Sequence, residues 1–169
     1  FTLTIPSIAK SQSLVSANFC QGDVEQLTKQ MLLDLPHYAN RVSARTQVAS
    51  RKAGIINYVI IAGKAEFEPL EITQHQYKQI PGESPQQVFF TTLERQYSDN
   101  KIIESQNYHW LFLAQTPSGW RKVLIYSRYG WQEPNIPPSP PQESSDTKIG
   151  QAIELWLRDC RAKISQIDL

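Results

Sequence analysis

Residues 87–128 hold three runs of β-forming residues, QVFFTTLERQY, KIIESQNYHWLFLAQ and WRKVLIYSR, joined by two tight-turn signals. The first turn is Ser98-Asp99-Asn100-Lys101, and its Asp-Asn centre suits a two-residue hairpin loop. That register sets Arg95 opposite Glu104, a cross-strand pair of opposite charge. The second turn, Thr116-Pro117-Ser118-Gly119, fits a type I turn followed by a left-handed glycine bulge. A chain with this stretch at its centre is built around an antiparallel three-stranded meander.

Alternation along the strands sorts the side chains. One face takes Val88, Phe90, His109, Leu111, Leu113, Val123 and Ile125. The other takes Phe89, Tyr108, Trp110, Phe112, Leu124 and Tyr126, with Lys122 and Arg128 toward its ends. Antiparallel sheets commonly turn one polar face to water. Here one face is aliphatic and the other aromatic, so both need a cover, or one lines a cavity.

The flanking segments supply candidate covers. GDVEQLTKQMLLDL predicts a helix, with Asp23 as N-cap and Gln26 completing a capping-box pattern. Val24, Leu27, Met31 and Leu35 recur at helical spacing. Pro36 reads as a break, and as the first-turn proline of a second helix, PHYANRVSARTQVASRK. The basic Arg41, Arg45, Arg51 and Lys52 complement that helix's dipole; a phosphate site is the alternative. After Gly54, IINYVIIA is a strand apolar on both faces, followed by a long connection with a short strand at 67–72. QEPNIPPSPPQESSD is a stiff polyproline spacer, or a PxxP recognition motif. Ser144, Ser145 or Asp146 then caps a last helix whose stripe is Ile149, Ile153, Trp156, Cys160, Ile164 and Ile167.

Composition narrows the class. The 169 residues make one ordinary domain. Basic and acidic side chains balance, 17 against 16, which argues against electrostatic capture of nucleic acid or an anionic membrane. No apolar run approaches the roughly 20 residues of a membrane span. Cys20 and Cys160 are the only cysteines and have no neighbours at metal-ligand spacing. They are either a disulfide tying the two ends together or a pair of buried thiols. The first residues, FTLTIPSIAKSQS, read as an N-terminal arm. Ala9 and Ser11 stand at the spacing of a signal-peptide cleavage site, so the arm is a signal remnant or a simple extension.

The blocks DLPHYANRV, VFFTTLERQY, YHWLFLAQTPSGW and PPSPPQESS leading to IGQAIELWLRDCRA resemble a conserved, uncharacterised family of cyanobacterial proteins. The resemblance covers most of residues 27–162. It implies a cyanobacterial source and, because its members often begin with a signal-like segment, an exported protein. It implies no activity. The element order is also similar to cystatin-like and nuclear-transport-factor-like folds, whose bent sheets often enclose a pocket; the final helix departs from that pattern.

Catalytic signatures are missing from the sequence: it holds no nucleophile elbow, phosphate loop or dinucleotide fingerprint. His37, His75 and His109 stand apart from other metal-ligand types. His109 projects onto the aliphatic face opposite Phe90, as a core histidine or as a general base. Glu94, Asp99 and Glu104 cluster near one turn and read as solvated charge. These readings combine into one α+β domain over residues 1–169, with an arm over 1–20 and a spacer over 132–145. It has two N-terminal helices, a mainly antiparallel sheet of four or five strands, and a C-terminal helix. The expected function is non-catalytic binding or assembly through the aromatic face, with no cofactor or metal. Tyr108, Trp110, Phe112, Tyr126, Lys122 and Arg128 would hold a small apolar ligand or a protein partner. The alternatives are that the last helix, led by Trp156, covers that face, or that a small enzyme uses His109 or Glu94 as its acid or base. The expected location is the periplasm, the thylakoid lumen or outside the cell.

Overall fold

The computed structural model describes residues 20–50, 56–68, 85–98, 100–131, 133 and 135–167. Helix α1 (Val24–Ser50) is followed by strands β1 (Ile56–Glu66), β2 (Gln86–Ser98), β3 (Lys101–Thr116), β4 (Gly119–Tyr129) and β5 (Gln142–Glu143), then helix α2 (Lys148–Ile167). The strands form one sheet in sequence order, and every pair is antiparallel. The protein is α+β, as expected, but with one N-terminal helix rather than two.

α1 starts where the sequence places it, with Asp23 Oδ1 accepting a hydrogen bond from Gln26 N at 2.9 Å. It then runs straight through Pro36. A proline inside a helix removes one backbone hydrogen bond and costs roughly 3 kcal/mol. Two features span the break and offset that cost. Leu27, Met31, Leu35 and Ala39 form one fully buried stripe on both sides of it. Two side chains of α1 also hydrogen-bond to α2 across it: Trp156 Nε1 donates to Asp34 at 2.8 Å, and Tyr38 Oη donates to Asp159 at 2.7 Å. Packing overrides the local signal.

The meander follows the expected register. Arg95 faces Glu104, and their charged atoms lie 2.8 Å apart, close as an ion pair but out of line for a hydrogen bond. Asn100 in the first turn has φ 64° and Gly119 in the second has φ 115°, both left-handed. Gly119 has a further constraint, because a Cβ there would sit 3.0 Å from Arg161 Cγ. A β-bulge then changes the faces of β4. Phe112 pairs with Leu124 and Leu113 with Lys122, so Val123 has no partner. The extra residue corrects two expectations. Val123 turns to the outer face and is 45% exposed, and Lys122 turns inward beside Leu113.

Both helices pack on one side of the sheet, which we call the inner face. Val88, Leu111, Leu113 and Ile125 from the strands meet Ala152, Ile153 and Leu157 from α2, all with no exposed surface. The last helix therefore does not cover the aromatic face; Trp156 packs toward α1. Cys20, just before α1, is disulfide-bonded to Cys160 on α2, with Cα atoms 5.5 Å apart. β1 is an edge strand; its side chains alternate, so Val59 is buried on the helix side while Tyr58 and Ile60 are exposed on the outer face. Asn40 of α1 reaches that strand and accepts Val59 N at 3.3 Å. The expected strand at 67–72 lies almost entirely outside the described residues.

The proline spacer folds back along β4. Ser139 N donates to Tyr129 O at 2.8 Å, and Ser144 N donates to Ile125 O at 2.8 Å. It protects an edge that would otherwise present free backbone groups. Thr147 starts α2, its carbonyl accepting Gln151 N at 2.8 Å. Ser144 and Ser145, expected as caps, bond instead to the sheet.

Candidate functional site

The outer face gathers five of the six side chains named from the sequence. Phe89, Trp110 and Tyr126 form one cross-strand row, Gln87, Phe112 and Leu124 the next, and Thr91, Tyr108 and Arg128 a third. The Phe89 ring lies 5.2 Å from Trp110 and stacks at 11° on Tyr108. Tyr108, Trp110, Phe112 and Tyr126 are half-buried, and among the described residues no helix lies over them. Two donors on this face, Trp110 Nε1 and Gln87 Nε2, have neither exposed area nor a hydrogen-bond partner. Such groups cost roughly 1–3 kcal/mol each when left unpaired.

The two basic candidates part company. Arg128 stands at the margin of the face, but its guanidinium donates to Ser139 O at 2.9 Å and to Pro138 O at 3.4 Å, holding the spacer. Lys122 is on the opposite side, turned there by the bulge. The sequence reading also stopped short of the face's far end. Tyr58, Ile60 and Ile102 are exposed there, and Tyr58 meets Tyr97 edge-on at 5.9 Å. Extending the same alternation past Arg95–Glu104 would have found Ile102; Tyr58 and Ile60 come from β1, opposite Arg95 and Leu93.

His109 is a core histidine. Its ring stacks on Phe90 at 4.9 Å and is 1% exposed. Nε2 lies 2.8 Å from Thr92 Oγ1 and Nδ1 lies 2.7 Å from Ser127 Oγ. Ser127 Oγ is 2.6 Å from Ser144 Oγ, which donates to Ile125 O at 3.1 Å. One direction of donation satisfies all four contacts: Thr92 to Nε2, Nδ1–H to Ser127, Ser127 to Ser144, and Ser144 to the carbonyl. It requires a neutral ring. Burial, and secondarily the Lys148 charge, pushes the imidazole down to about 3, in agreement. The chain of bonds ties the start of α2 to the sheet.

Glu94 is not the solvated turn charge the sequence suggested. It lies on the inner face, one strand position from Arg95, and pairs with Lys148 of α2 at 2.8 Å. Neither His109 nor Glu94 lines any of the three described cavities. The smallest cavity sits by the disulfide, against Tyr38 and Asp159. Burial and the Asp159 hydrogen bond push the Tyr38 hydroxyl up to about 12. Burial raises the Asp159 carboxyl, but its hydrogen bonds to Tyr38 and Arg158, aided by nearby cations, outweigh that and lower it. Among the described residues no group of three or more His, Cys, Asp or Glu could hold a metal ion, and no helix is long and apolar enough to cross a membrane.

Comparison with protein-family models, curated proteins and solved structures finds no match to this chain.

Proposed function

We propose that this is a non-catalytic binding or assembly protein whose partner docks on the outer aromatic face. The observation that carries the reading is the sidedness of the sheet: both helices pack on the inner face, and the row Phe89–Trp110–Tyr126 is left to something else. Tryptophan and tyrosine at the centre of a contact supply large apolar area at low entropic cost. A partner that offers apolar groups would bury the half-exposed rings of Tyr108, Trp110 and Tyr126. The disulfide supports an oxidising location, such as a periplasm, a thylakoid lumen or the cell exterior.

Native mass spectrometry of the protein purified from its own host, beside Trp110→Ala and Tyr126→Ala variants, tests the reading. The wild type should carry a bound component that denaturation releases, and folded variants should lack it. A wild type at its bare chain mass, or variants that retain the component, would overturn the proposal.

A further inference from the structure

A second site lies on the helix side and shares no residue with the aromatic face. A cavity of about 320 Å³ opens between α1, the start of α2 and β4. Small-molecule sites begin at about this size. Its lining carries four charges, two of each sign: Arg45 from α1, Lys122 from β4, and Asp146 and Glu154 from the α2 side. Val42 and Leu155 give it an apolar wall.

The charges are incompletely matched. Lys122, turned inward by the bulge, has a side chain only 10% exposed. Its ammonium donates to Ser145 O at 3.0 Å and Gly150 O at 3.2 Å. An ammonium has three N–H donors. The nearest carboxylate, Glu154, is 3.9 Å away, too far for a hydrogen bond, and is shared with Arg161 at 3.6 Å. Arg45 and Asp146 are exposed, and among the described residues neither side chain has an ion-pair partner. One cavity therefore presents a buried ammonium with an unfilled donor, a free guanidinium and a free carboxylate. A purely anionic ligand would meet Asp146 and Glu154, and a purely cationic one would meet Lys122 and Arg45. A ligand carrying both charges finds a partner for each.

We propose that this cavity binds a free α-amino acid with an apolar side chain. Its carboxylate takes the open donor of Lys122 and the guanidinium of Arg45. Its ammonium lies toward Asp146 and Glu154, and its side chain rests on Val42 and Leu155.

The test is an NMR titration of the full chain with the free proteinogenic amino acids, one at a time. Isocaproate and isoamylamine serve as analogues of leucine that each lack one charge. At least one apolar amino acid should shift the backbone amides of Thr46, Ser145 and Gln151. Removing a charge-assisted hydrogen bond should weaken binding roughly tenfold or more, so both analogues should bind correspondingly worse. Arg45→Gln and Asp146→Asn each change an exposed side chain without a protein partner, so both should fold normally and lose a similar factor. Three results would each overturn the site: no amino acid moves those amides, isocaproate binds as tightly as leucine, or both variants bind like the wild type.

Discussion

The inner and outer faces of the sheet come from the same strands and alternate residue by residue, yet their polar groups are treated differently. On the inner face the strands bury Thr92, His109 and Ser127, and each has a hydrogen-bond partner. On the outer face Trp110 Nε1 and Gln87 Nε2 have none. The inner face is built for one arrangement of this chain's own helices. The outer face keeps apolar area and donors that nothing among the described elements uses. Among the strands' own side chains the satisfaction of polar groups separates the two faces, although Thr28 and Ser43 on α1 also bury hydroxyls without a partner.

Truncation should separate the faces most strongly. Phe90→Ala removes a ring that is 1% exposed and should cost about 3–5 kcal/mol. Trp110→Ala removes a larger ring but also an unpaired donor, and should cost less than half as much. Urea unfolding of both variants checks this, and equal losses would make the outer face a second core.

Acid should act next, and of the two faces it should act through the inner one. Burial pushes the folded His109 imidazole down to about 3, from its ordinary value of 6.5. The unfolded chain therefore binds a proton first as the pH falls. The contribution to stability is complete above about pH 6.5 and is lost on descending toward pH 3. It amounts to about 5 kcal/mol at most. His109→Gln should flatten that part of the pH profile, whereas Tyr108→Phe on the outer face should leave it unchanged.

The bulge predicts a smaller contrast. Val123→Ser, on the outer side, should change stability by no more than about 0.5 kcal/mol. The same change at Val88, which has no exposed surface, should cost several times that. A large loss at Val123 would place it back on the inner face. The smallest effect belongs to Arg95–Glu104, whose side chains are 40% and 46% exposed. A double-mutant cycle should return about 0–1 kcal/mol, less at high salt.

The meander was legible because its information is local. Turn residues and a charge pair three register steps from the turn's closing pair set the pairing, and alternation followed from it. Three features were not legible because each depends on groups far apart in the chain. Pro36 stays helical because Asp34 and Tyr38 are bonded to α2 from either side of it. Lys122 and Val123 exchange faces through one unpaired residue, for which WRKVLIYSR carries no glycine or other marker. Glu94 reads as a turn charge until α2 brings Lys148 to it. Of the candidate site, Tyr108, Trp110, Phe112 and Tyr126 were legible as one face. That neither helix covers them was not, since the stripe of α2 fits either side of the sheet.

The measurement that tests the central claim most directly is hydroxyl-radical footprinting of the purified full chain, read residue by residue by mass spectrometry. An available outer face predicts that Tyr108, Trp110 and Tyr126 oxidise well above Phe90 and Trp156. Trp110 and Tyr126 protected as fully as Phe90 and Trp156 would contradict it, because the aromatic face would then be interior.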